Sequence, residues 1–161
     1  MWTIESSRED SAMSKAVISM SGIMDSIRDM GRTWVAWTTG SLLGFFVGIL
    51  PAAGATPGSL MAYGVAKMTA KEPDKFGKGE VAGVVAPESA NNAASTGSLL
   101  PMLTLGIPGS PTTAILLGGM VIWGLTPGPL LFVEEKEFVW GLIGSLYVAN
   151  FFAVLINLAF I

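Results

Sequence analysis

Two long stretches of the chain are almost free of charge, and a short polar segment separates them. No charged residue lies between Arg32 and Lys67, and only Glu88 lies between Glu80 and Glu134. One helix through the first stretch would run about 50 Å at 1.5 Å per residue, against a hydrocarbon core of about 30 Å. It must break, and the break is expected at Gly48-Ile-Leu-Pro-Ala-Ala-Gly54 and Ala55-Thr-Pro-Gly-Ser59. Trp34 to Leu50 reads as a first half, with Trp34 and Trp37 placed as interfacial anchors. Leu60 to Ala66 belongs to a second, shorter half.

The second stretch, Val81 to Val133, is expected to break at Pro87, at Pro101 and across Pro108 to Pro111. Thr112 to Leu125 reads as a compact helix that Pro127-Gly-Pro129 stops, because proline cannot continue a helix. Glu134 to Glu137 reads as an acidic loop, and Phe138 to Ile161 as a further span. Asn150 and Asn157 inside that span would bond neighbouring helices. Gly48-Ile-Leu-Pro51 and Gly106-Ile-Pro-Gly109 echo one another, each followed by small residues at a helix start. Paired interrupted segments of this kind point to the binding site of a secondary transporter.

Outside these stretches the pattern is polar. From Met20 to Arg32, apolar residues at helical spacing face Asp25, Arg28, Asp29 and Arg32, as in an interfacial amphipathic helix. Residues 1–33 therefore form a polar N-terminal segment, and residues 34–161 a transmembrane region that reads as truncated at both ends. Lys67 to Glu80 holds the densest group of lysines, which places it in the cytoplasm, with the acidic loop on the far side.

Composition agrees with a membrane protein. Only 13% of the 161 residues are charged, half the share usual in soluble domains, and mean hydropathy is +0.59. The net charge of −3 gives no reason to expect nucleic acid as a partner. The absence of cysteine and histidine excludes disulfides, thiol chemistry, a His-based triad and the usual transition-metal ligand sets. No resident cofactor or metal is expected.

The candidate chemistry lies in the broken segments. With Pro87 in the first turn of a helix, Glu88, Asn91 and Asn92 would share one face at i, i+3 and i+4. That face offers oxygen ligands for a transient Na⁺, or a titratable group for H⁺, so these three residues are the expected cation-coupling set. An ionisable residue at membrane depth marks a functional site by default, although a helix cap would also explain Glu88. Helix starts after Pro51 and Pro108 turn free N–H groups and positive dipole ends towards a bound anion, which an uncharged site needs to hold a carboxylate. The expected substrate-binding residues are Pro51, Gly54, Ala55 and Thr56 at the first break, and Gly106, Pro108, Gly109 and Ser110 at the second. Ser95, Thr96, Ser98, Thr104, Thr112 and Thr113 are weaker candidates, because such residues more often serve close helix packing.

GILPAAGATPGSLMAYGVAK (Gly48 to Lys67), FGKGEVAGVVAPESANNAASTGSLLPMLTLGIPGSPTTA (Phe76 to Ala114) and GLTPGPLLF (Gly124 to Phe132) resemble the large membrane subunit of the tripartite tricarboxylate transporters, the TctA family. The family pattern after the first break is Pro-Gly-x-Gly, and Ala52 stands here at the first of those glycines. The resemblance implies an all-α polytopic membrane protein of broken transmembrane helices and re-entrant hairpins. The chain would supply one repeat of a two-repeat transporter. It further implies a bacterial inner-membrane location among lipid, a small membrane subunit as partner, and an organic tri- or dicarboxylate delivered by a periplasmic solute-binding protein. Import would be coupled to a gradient of Na⁺ or H⁺. A non-transporting membrane scaffold is the alternative. An intramembrane enzyme is not expected, since the lysines that a Ser–Lys pair would need all sit in polar segments.

Overall fold

The structure is a computed structural model that describes residues 28–160, with side chains through residue 157. The expected amphipathic helix from Met20 falls mostly outside the described residues, of which 28–32 are helical. Gly31 to Trp140 form one compact unit, and the chain from Gly141 onward belongs to another.

In the first unit, α1 (Trp34–Ile49), α2 (Ala55–Thr69) and α3 (Ala82–Gly97) pack against one another. A short 3₁₀ turn (Pro73–Lys75) lies between α2 and α3. Then come α4 (Leu99–Leu105), α5 (Pro111–Ile122), α6 (Leu131–Glu134) and α7 (Lys136–Phe160). The described residues contain no strand.

The three packed helices meet through small residues at four-residue spacing. Ala36, Gly40, Gly44 and Gly48 are buried on α1, Gly58, Ala62 and Ala66 on α2, and Ala86, Ala90 and Ala94 on α3. Such tracks let helix backbones approach closely where lipid supplies no hydrophobic drive. The approach is extreme between α1 and α3. A Cβ on Gly40, Gly44 or Gly48 would lie 2.4, 2.1 or 2.3 Å from the carbonyl oxygen of Ala86, Ala90 or Ala94. Because these pairs follow in the same order, α1 and α3 are parallel. Gly58, near the start of α2, sits against Gly44 and Val47. Tyr63, further along α2, packs edge-on against Phe76 just before α3. Thus α2 runs antiparallel to both, and the chain returns to the end of the unit from which α1 set out.

Large apolar side chains point the other way. Phe46 is 65% exposed, Leu60 69% and Ile122 83%, whereas the largest fully buried side chains are Met102 and Ser98. Small residues inside and large apolar ones outside is an arrangement found in membrane proteins and at faces that another protein surface covers. At 16 residues, α1 is about 24 Å long, short of the roughly 30 Å hydrocarbon core. The separate helix α7, with 25 residues, is long and apolar enough to cross it.

The breaks differ from expectation in instructive ways. Ala55 to Ser59 is helical, since Pro57 stands in the first turn of α2, where its missing N–H costs nothing. Pro87 does not open a helix but lies inside α3, so the expected break there is absent. Pro101 does interrupt the path, but at Ser98, because a proline ring clashes with the carbonyl four residues earlier, here that of Gly97. Helix α5 ends at Ile122, before Pro127. The N–H of Gly124 bonds Val121 and the N–H of Leu125 bonds Met120, a C-terminal cap that requires the left-handed φ of 76° at Gly124. The expected acidic loop shrinks to Glu135 between α6 and α7, with Glu134 and Glu137 helical.

The polar segment after α2 is anchored rather than loose. Phe76 is buried among Tyr63, Gly83 and the α1–α3 core. Lys75 forms an ion pair with Glu72, and the hydrogen bond and charge of that carboxylate raise the Lys75 pKa above its usual value.

Candidate functional site

The two Pro/Gly breaks, more than fifty residues apart in sequence, meet. The N–H of Gly54 donates to the carbonyl of Gly109 at 3.1 Å. Gly109 is buried so tightly that a Cβ would fall 2.8 Å from Cβ of Ser98 and 2.9 Å from the carbonyl oxygen of Gly48. The end of α1, the start of α2, the α3–α4 joint and the start of α5 therefore converge on one point. Each arrives because its sequence stops a helix there. Pro51 and Gly54 end one break, Pro101 forces the joint at Ser98, and Gly106 closes α4 in a left-handed conformation with its N–H on Met102.

The helix starts at this point are of two kinds. Gly54 precedes α2 and has no side chain to cap it, so the N–H groups of Ala55 and Thr56 have no intrahelical acceptor. The start of α5 is capped instead. The Ser110 hydroxyl accepts the N–H of Thr113 at 3.3 Å, and the Thr113 hydroxyl accepts the N–H of Ser110 at 2.9 Å. This reciprocal box contributes about 1 kcal/mol to the helix. It leaves Thr112 as the N–H at the start of α5 without an intrahelical partner, because Pro111 has none.

The expected site residues divide accordingly. Gly54, Gly109 and Ser110 lie at the convergence, joined by Gly48, Ser98 and Thr113. Ala55, Gly106 and Pro108 are half-buried beside it in the chain, and Pro51 and Thr56 are exposed. Glu88, Asn91 and Asn92 do share one exposed face of α3, but they are not part of the convergence. Glu88 is ten residues, about 15 Å along a helix, before Ser98. It is the seventh residue of α3, so its carboxylate caps no helix start. Asn92 Nδ2 donates to the carbonyl of Glu88 at 3.0 Å, and Ser95 Oγ to the carbonyl of Asn91 at 3.0 Å. Among the described residues no group of three or more His, Cys, Asp or Glu side chains is placed to hold a metal ion.

Sequence reasoning missed the Gly40/Gly44/Gly48 and Ala86/Ala90/Ala94 tracks, although their four-residue repeat was readable. It also gave Pro127-Gly-Pro129, within Gly124 to Phe132, no structural part beyond stopping a helix. There Pro127 packs on Gly106, and the N–H of Gly128 bonds the Leu103 carbonyl at 2.9 Å, which buttresses α4 and the second break.

Ala52 is the one non-glycine with positive φ among the described residues, at 59°. A left-handed conformation costs an L-residue about 1–2 kcal/mol, which accounts for a glycine at this place in the Pro-Gly-x-Gly pattern. Ala52→Gly is expected to stabilise the protein by about 1 kcal/mol, read as a higher midpoint in thermal unfolding of the purified subunit in detergent. A lower midpoint would contradict the left-handed turn.

Among the described residues the chain is apolar and helical without strands, and its interrupted helices meet where no charged residue lies, an arrangement that transporters use. The comparisons specify which. The Tripartite tricarboxylate transporter TctA family matches residues 1–161, and the chain belongs to that family, one of transporters rather than enzymes. It is 41% identical over 122 residues to an uncharacterized 52.8 kDa protein in the TAR-I ttuC′ 3′ region of Agrobacterium vitis, covering 76% of this chain and 24% of that protein. It is 42% identical over 118 residues to an uncharacterized protein in the TAR-II ttuC′ 3′ region of the same organism, covering 73% of this chain and 49% of that one. The chain thus spans about a quarter and about half of the lengths of these relatives. No solved structure matches it.

Proposed function

We propose that this chain is part of the membrane subunit of a secondary active transporter that imports organic tri- or dicarboxylates across the bacterial inner membrane. A periplasmic solute-binding protein delivers the substrate, a small membrane subunit completes the assembly, and a Na⁺ or H⁺ gradient drives uptake. The observation that carries this reading is the Gly54–Gly109 hydrogen bond, which joins the two breaks. It sets the start of α2 beside the start of α5 in a region without Lys or Arg. A substrate carboxylate there is held by the N–H groups of Ala55, Thr56 and Thr112 and by the positive ends of both helices. Pro51, Gly106 and Pro108 shape the breaks, and Ser110 serves by holding its turn.

Glu88, Asn91 and Asn92 form the cation-coupling face. Large outward side chains such as Phe46, Leu60 and Ile122 meet lipid or the remainder of a longer subunit, and the lysine-rich segment faces the cytoplasm. The test is uptake of radiolabelled citrate and succinate by vesicles that hold the full-length subunit and its partners. Accumulation that depends on an imposed Na⁺ or H⁺ gradient is expected. Absence of gradient-dependent uptake of both would contradict the proposal.

A further inference from the structure

Ser98 ties together the parts of the fold that this transport reading needs in register. Its side chain is 1% exposed. Its hydroxyl donates to the carbonyl of Ser95 at 2.8 Å, which commits its single proton. It also lies 3.3 Å from the hydroxyl of Ser110. The Thr113 hydroxyl spends its own proton on the Ser110 carbonyl at 2.9 Å and already accepts the N–H of Ser110. The Ser110 proton is therefore the one left, and it is shared between the Thr113 hydroxyl at 3.1 Å and the Ser98 hydroxyl at 3.3 Å. Gly109, next in the chain, seats directly on Ser98 and holds Gly54 through its carbonyl. A buried serine at the α3–α4 joint thus bonds the second break, and the second break bonds the first.

We propose that Ser98 is a positioning residue that fixes the Gly106–Ser110 turn against Gly54 and so sets the spacing between the starts of α2 and α5. The inference rests on the reading of those helix starts as the carboxylate site, and it also makes a claim about spacing alone. Ser98→Ala and Ser110→Ala both remove this contact, but Ser110→Ala also removes the cap of α5, which Ser98→Ala leaves in place. In citrate uptake by the full-length subunit with its partners, each is expected to raise KM about tenfold, with the maximal rate per molecule retained within about twofold. The double variant is expected to be no worse than Ser110→Ala alone, since that variant already lacks the contact with Ser98. A serine that merely stabilises the fold would lower the amount of protein in the membrane and leave KM unchanged.

Unchanged KM in either variant, or effects that multiply in the double variant, would overturn the proposal. Should Ser98→Ala not reach the membrane, Ser110→Ala is set against Thr113→Ala, which disturbs the same cap and keeps the Ser98–Ser110 contact; a raised KM in the first alone supports the proposal, and equal effects in both overturn it. Spacing is read without transport by a nitroxide pair at Ala53→Cys and Ile107→Cys. Its distance distribution is expected to broaden when Ser98 or Ser110 becomes Ala. An unchanged distribution overturns the positioning role even if the wild type takes up nothing, whereas broadening without wild-type uptake retains it and removes the transport reading.

Discussion

Gly44→Leu is expected to leave no folded subunit. The Cβ position of residue 44 lies 2.1 Å from the carbonyl oxygen of Ala90 and 2.5 Å from its Cα. Those are backbone atoms, so no rotamer change relieves the overlap, and α1 and α3 must separate. Overpacking that side chains absorb costs about 1–3 kcal/mol. Here the track above and below, at Gly40 and Gly48, would open as well, and total stabilities are only about 5–15 kcal/mol. Gly44→Ala is expected to cost at least about 3 kcal/mol for the same reason. Gly64→Ala is the control. Nothing lies within 4 Å of its Cβ position in α2, and the substitution is expected to be neutral or stabilising by up to about 1 kcal/mol. Size-exclusion profiles and thermal midpoints of the three variants in detergent measure this. A monodisperse Gly44→Leu protein with a wild-type midpoint would contradict the close α1–α3 contact.

Glu88→Gln is expected to abolish gradient-driven uptake while leaving expression and membrane insertion near wild type. The hypothesis is motivated by position. Glu88 is the sole charge in residues 81–133, it lies mid-helix, and it shares an exposed face with Asn91 and Asn92. A helix-start role is not available to it there, and no Lys or Arg of the same stretch exists to pair with it. A charge at membrane depth without such compensation is costly, and a bound cation would offset that cost. Gln keeps the size and the helix and removes the charge. Uptake in vesicles under separate Na⁺ and H⁺ gradients is the measurement. Normal uptake with unchanged dependence on both ions would end the coupling role.

The large-scale punctuation was legible in the sequence because Pro and Gly act locally. The charge-free stretches, α1, the break before Gly54, the turn at Gly106 to Ser110 and the last apolar helix all followed from residues within one or two turns of each feature. What failed was the weight given to each proline. Pro57 sits in a helix's first turn and breaks nothing, Pro87 is carried inside α3, and Pro101 acts four residues upstream at Gly97. Which of these happens depends on where the helix bounds fall, and those rest on packing between helices, of which the bond from the Ser59 hydroxyl of α2 to the Pro87 carbonyl of α3 at 3.1 Å is one contact. Phe76 was hidden for a similar reason, since a lone aromatic among lysines and acids looks solvated until Tyr63 is placed against it. The echo between the two breaks suggested a relation, but their meeting depends on α1 and α3 being parallel. That follows from the Gly and Ala tracks rather than from the breaks themselves.

The meeting of the breaks is the claim on which the site depends, and a distance tests it most directly. Nitroxides at Ala53→Cys and Ile107→Cys, in a full-length subunit otherwise free of cysteine, flank the Gly54–Gly109 bond by one and two residues. With consecutive Cα atoms 3.8 Å apart, the labelled Cα positions lie within about 18 Å of one another. Strong dipolar broadening and a distribution centred below about 25 Å, label arms included, is the expected result. A single population at about 35 Å or beyond, as for breaks on opposite faces of a hydrocarbon core about 30 Å thick, would contradict the convergence.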